Sequence, residues 1–108
     1  MEFEADPAKA AYNLRKHDVH FEDAATVFPD PNRVETCDGR DQYGEDRWKT
    51  VDVVEPKLLC VVYTLRQPDD EPIRLISARK ADTHERKRYQ SRINAALRKY
   101  VDSHRTAA

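Results

Sequence analysis

Apolar positions along the chain fall into short segments whose spacing changes from place to place, and that spacing predicts the elements. Phe3 between Glu2 and Glu4 suggests a short opening strand. Behind Asp6-Pro7, Ala8, Ala11 and Leu14 mark one helical face, with Asp6 as N-cap and Pro7 at the first helical position. This helix is expected to end near Lys16-His17-Asp18. Val19 and Phe21 flank a second, shorter helix over about 22–28, closed by Pro29 and Pro31. Residues 29–46 have almost no apolar side chains and predict a long loop.

The middle of the chain changes period. Residues 47–54 and 57–66 predict two strands joined tightly at Glu55-Pro56, as in a hairpin. The run LLCVVYTL within the second is what a central strand covered on both faces requires. Gln67–Glu71 is an acidic turn that leads to a strand at Ile73–Ala78. Arg79-Lys80 should leave the end of that strand into a turn, where cations on a rigid edge can hold a phosphate. Asp82 and Glu85 then form a capping-box pattern opening a helix from about Thr83 to His104. Tyr89, Ile93, Leu97, Tyr100 and Val101 give that helix an apolar stripe, although it outruns so small a sheet. A partner chain or a second copy is the natural cover. The expected fold is α+β: a small antiparallel sheet built from a three-strand meander plus the short N-terminal strand. Two N-terminal helices cover it, and a long C-terminal helix closes it.

Composition narrows the class. With 108 residues, 39% of them apolar, the chain fits one domain with a modest core. No apolar run is long enough to span a bilayer and the first residues do not read as a signal peptide, so a cytosolic protein is expected, with no membrane partner. The net charge of −1 hides an asymmetry: residues 73–108 carry ten Lys/Arg against three Asp/Glu, and residues 1–72 carry nine against seventeen. A basic end of this kind points to a polyanion. Cys37 and Cys60 are too few and too isolated for a disulfide framework or a metal site and read as reduced thiols, Cys60 as core filler.

Four segments carry a resemblance: FEADPAKAAYNLRKHDVHFEDAATVFPDP, EDRW, LLCVVYT and IRLISARKADTHERKRY. In this order and spacing, from residue 2 to about 89, they resemble the BrnT family, ribonuclease toxins of bacterial type II toxin–antitoxin systems. The resemblance implies a RelE-like fold of helices on a small antiparallel sheet and metal-independent RNA cleavage without a cofactor. It also implies neutralisation by a BrnA-type antitoxin, and operator DNA bound only through the toxin–antitoxin complex. Three departures stand out. Asp18 and Asp52 occupy positions where the family often has Gly. The tail YQSRINAALRKYVDSHR continues past the family's usual end and is similar to the closing helix of the BrnA antitoxin itself. The chain thus reads as a toxin domain, 1–89, and an antitoxin-like helical extension, 90–108.

Metal-independent cleavage needs a base for the ribose 2′-OH, a cation for the phosphorus-bound oxygens, and an acid for the leaving 5′-oxygen. Arg79, His17 and Tyr89 are the catalytic candidates; Lys16, Arg47, Trp48, Lys80 and Arg86 are RNA-binding candidates. Each has a plainer alternative. Arg79 can pair with Glu85 across the strand–helix turn, and His17 can answer the dipole at its helix end. Trp48 can pack in the core, Tyr89 can begin the apolar stripe, and Lys16 can be solvated. Two functions follow: a growth-arresting ribonuclease, or a degenerate toxin kept for binding and regulation in a toxin–antitoxin complex. In a further variant the tail helix covers the toxin's own site.

Overall fold

A computed structural model of the protein describes residues 3–40, 46–65 and 73–105. The elements run β1 (Phe3–Glu4), α1 (Pro7–His17), α2 (Phe21–Ala24), a 3-10 turn (Ala25–Val27), β2 (Val34–Arg40), β3 (Asp46–Val54), β4 (Lys57–Leu65), β5 (Ile73–Lys80) and α3 (Thr83–Arg105). The strands form one sheet in the order β1-β5-β4-β3-β2. β2 to β5 pair antiparallel, whereas β1 runs parallel to β5. The α+β expectation holds, with a mixed sheet in place of an antiparallel one.

The other difference lies in the expected loop over 29–46. Val34–Arg40 within it is an edge strand paired with β3. Its sequence, VETCDGR, lacks the alternation that betrays a half-buried strand, and its register shifts between Cys37 and Gly39. Charged side chains and bulges are how edge strands avoid pairing with other chains, so the signal is weak for a physical reason. The rest of that loop, 41–45, and the Gln67–Glu71 turn lie outside the described residues. The second helix splits into one α turn and one 3-10 turn, ending before Phe28.

The sheet separates two apolar clusters. Leu59, Val61 and Tyr63 of β4 meet Val19, Phe21, Ala24, Val27 and Phe28 from the α2 region. The alternate residues Cys60 and Val62 join Val51 and Ala81, with Leu58, Ile76 and Tyr89 packed around them. LLCVVYTL is therefore a central strand with both faces covered. Cys60 is the expected core filler; its thiol is pushed up to about 12 by burial.

β5 carries the feature that positions everything else. Val62 pairs with Ser77 but Tyr63 pairs with Leu75, so Ile76 is an extra residue. A regular strand would send Leu75 and Ala78 to opposite faces. The bulge restores both, with Ile73, to the first cluster, and turns Arg79 towards the face that α3 covers. Asn13 then anchors α1 against β5. Its side-chain amide donates to the carbonyls of Ala78 at 2.9 Å and Val19 at 3.0 Å, and its Oδ1 accepts from Ala78 N–H at 3.0 Å. These bonds satisfy β5 backbone where β1, which pairs only Ile73 and Arg74, no longer reaches.

Candidate active site at the strand to helix corner

Arg79 and Lys80 end β5, and Asp82 caps α3 two residues later. Glu85 N–H donates to Asp82 Oδ1 at 2.8 Å while Asp82 N–H donates to Glu85 Oε1 at 2.9 Å, the reciprocal pair expected from the sequence. That cap fixes Glu85 in place, and Arg79 grips it with both Nη groups, at 2.8 and 2.9 Å. Lys49 Nζ approaches the second oxygen, Oε2, at 3.2 Å. Glu85 is only 3% exposed, whereas a third of the Arg79 side chain faces solvent. The Arg79 hydrogen bonds hold the Glu85 carboxyl well below the usual carboxylate range, and Glu85 raises Arg79 in turn. A fixed, always-charged guanidinium with an open side results.

His17, the last residue of α1, is half-buried nearby. Its imidazole lies below its ordinary value because of burial first, then the charges of Lys16 and Arg79. Lys16 itself rests over the Tyr12 ring at 5.5 Å. Asp18 adopts the left-handed C-cap conformation, φ 58° and ψ 41°, and its N–H donates to Leu14 O, so the helix ends where the sequence placed it.

Tyr89 lies one turn beyond Glu85, packed against the second cluster, and its hydroxyl donates to Asp52 Oδ1 at 3.3 Å. Asp52 is 1% exposed. Burial, and then hydrogen bonding to Asp30, push its carboxyl up to about 6, whereas backbone hydrogen bonding from Asn32 holds Asp30 down. Burial and the Asp52 charge raise Tyr89.

The structure thus brings Arg79 and Tyr89 onto one face with Glu85 between them, and sets His17 within electrostatic reach of both Arg79 and Lys16. Lys80 and Arg86 are exposed beside the corner. Trp48 does not join them. It packs half-buried against the first cluster, on the α2 side of the sheet, opposite the face that carries Arg79. Arg47 is in phase with Lys49 along β3 and so lies with it on the α3 side. Sequence reasoning missed Lys49, Asn13 and the Asp30–Asp52 pair. Lys49 was legible as a strand residue in phase with Val51, but its partner lies 36 residues away (85 − 49).

A five-stranded mixed sheet with two short N-terminal helices, one long closing helix and a cationic strand–helix corner defines the molecule as a small α+β protein. The chain belongs to the family described as the ribonuclease toxin BrnT of type II toxin–antitoxin systems, matching it over residues 6–85. No curated protein matches as a relative. The fold is also similar to the 1.1 Å crystal structure of the Brucella abortus ribonuclease toxin BrnT. The TM-score is 0.57 at 20% identity, covering 77% of this chain and 99% of that one. α3 runs on to Arg105, well past the end of the family match. No helix among the described residues is long and apolar enough to cross a membrane.

Proposed function

We propose that the chain is a metal-independent endoribonuclease, the toxin of a cytoplasmic toxin–antitoxin pair, which arrests growth by cutting RNA. The observation that carries the reading is Arg79: a permanent cation clamped by Glu85 in one orientation, a third of its side chain open to solvent at the strand–helix corner. In this reading Arg79 stabilises the negative charge that builds on the phosphoryl oxygens. His17, kept neutral by burial and by two nearby cations, takes the 2′-OH proton. The 2′-oxygen attacks phosphorus, the P–O5′ bond breaks, and Tyr89 supplies the proton that the leaving 5′-oxygen needs. The products are a 2′,3′-cyclic phosphate and a 5′-hydroxyl, and no cofactor is required. Lys16, Lys80, Arg86 and Arg47 supply charge for the flanking phosphates. A BrnA-type antitoxin is the proposed partner, with operator DNA reached only through that complex. Residues 90–108 form the antitoxin-like extension, and the exposed Leu97 and Val101 on it offer a face for pairing with a second copy.

One observation favours a second reading. Glu85 already occupies both Nη groups of Arg79, as in a structural ion pair, and a degenerate toxin kept for binding would need no more. Cleavage of end-labelled RNA by the full chain, with and without EDTA, decides between them. The ribonuclease reading expects cyclic-phosphate products in EDTA, and losses of roughly 100-fold or more for Arg79→Lys and His17→Gln. Loss of cleavage in EDTA would exclude the metal-independent mechanism, and full activity of Arg79→Lys would remove Arg79 from the chemistry. Expression of the full chain and of a form ending at Tyr89 in a bacterium without the antitoxin tests growth arrest and inhibition by the tail.

A further inference from the structure

His84, Lys87, Arg88, Ser91 and Arg92 recur at helical spacing along one side of α3. They face Val34, at the start of β2, across a groove of about 520 Å³. A second hollow continues it past Arg33 and Glu35. Lys87, Arg88 and Arg92 are exposed, and none of the three forms an ion pair among the described residues. On the sheet beside this face the cations have carboxylate partners: Arg79 and Lys49 share Glu85, and Arg33 meets Glu35. Glu35, the acidic side chain at the far end, is also taken up by the Tyr63 hydroxyl. The groove wall is therefore a run of uncompensated positive charge, which a polyanion would relieve.

We propose that this groove holds the backbone of single-stranded RNA leading to the Arg79 corner, a proposal that rests on the ribonuclease reading and locates its substrate. The groove begins at His84, the neighbour of the glutamate that clamps Arg79. From His84 to Arg92 the helix rises about 12 Å. That length is enough for roughly three phosphates of one strand. A duplex is disfavoured, because A-form geometry holds each 2′-oxygen out of line with its leaving 5′-oxygen. Lys87, Arg88 and Arg92 all lie beyond residue 85, where the family match ends. The long helix thus adds a substrate-binding wall to the family's fold.

The test uses the full chain and a fluorescein-labelled 2′-O-methyl RNA of about twelve nucleotides, which cannot be cleaved by 2′-oxygen attack. Anisotropy is measured over a range of salt concentrations. Lys87→Ala/Arg88→Ala/Arg92→Ala is compared with a control of exposed cations on α1, Lys9→Ala/Arg15→Ala. Losing three phosphate contacts should weaken binding roughly tenfold or more and flatten the log–log salt slope by about 2. The control should stay within twofold. In cleavage of ordinary RNA, KM should rise in the triple variant while kcat holds. Equal RNA binding by the two variants overturns the proposal. So does RNA binding that survives while a polyglutamate peptide loses its hold, which would make the groove a seat for an acidic protein segment. Groove-dependent binding by a chain that never cleaves RNA sustains the groove and rejects the ribonuclease.

Discussion

Glu85→Gln tests the central corner most sharply. Gln fits the capping box as well as Glu, so the bond from Asp82 N–H to Oε1 survives. The substitution removes the charge and turns one oxygen into an amide that donates. If the amide takes the Oε2 position, it confronts Arg79 Nη2 at 2.9 Å and Lys49 Nζ at 3.2 Å, donor against donor. Hydrogen bonds to charged groups contribute about 1.5–3 kcal/mol each, and Glu85 is buried although Arg79 is partly solvated. A loss of about 3 kcal/mol at pH 7 follows, read from urea unfolding with m unchanged. The pH dependence supplies the independent check. The folded-state carboxyl lies below its ordinary value of 4.5. Its stabilisation is therefore complete above that value and is lost as the pH falls through the folded-state value. The gap between wild type and Glu85→Gln should narrow as the pH is lowered from 5 towards 3. A gap below about 1 kcal/mol at pH 7, or one that stays constant down to pH 3, would refute the reasoning.

Asn13→Ala should cost about 3 kcal/mol, because it strands a buried N–H and two buried carbonyls at roughly 1 kcal/mol or more each; thermal unfolding measures it. Asp52→Asn should stabilise the protein by about 1–2 kcal/mol at pH 8. The raised Asp52 carboxyl contributes stability below its ordinary 3.8 that is lost as pH rises through about 6, so the advantage of Asn should vanish near pH 4. Asp18→Gly should gain about 0.5–1 kcal/mol by relieving the left-handed backbone at φ 58°, checked by the urea midpoint; a loss would mean that the contact of Asp18 with Lys57 at 3.8 Å matters more.

Much of this corner was legible because it is local. Asp6-Pro7 and Asp82…Glu85 announce helix starts through contacts spanning two or three residues, and both caps form as read. Asp18 ends α1 where the helix was expected to stop. LLCVVYTL declared a doubly covered strand through composition alone. Even the Arg79–Glu85 pair was available, since the two residues sit on either side of one turn.

What the chain by itself determined, then, were elements whose stabilising contacts close within a few residues. The tertiary structure decided the rest, and in each case through contacts between residues far apart in sequence. β2 becomes a strand because β3 supplies its hydrogen bonds, which no alternation in VETCDGR advertises. The bulge at Ile76 exists because β4 fixes the register, and it alone turns Arg79 towards α3. Lys49 joins Glu85, Asn13 completes β5, and Asp52 meets Tyr89 across 36, 65 and 37 residues. Trp48 leaves the corner for the core because burying its ring against the first cluster outweighs leaving it in water. A side chain's type is written in the sequence, but its charge state and accessibility belong to neighbours that only the folded sheet brings together.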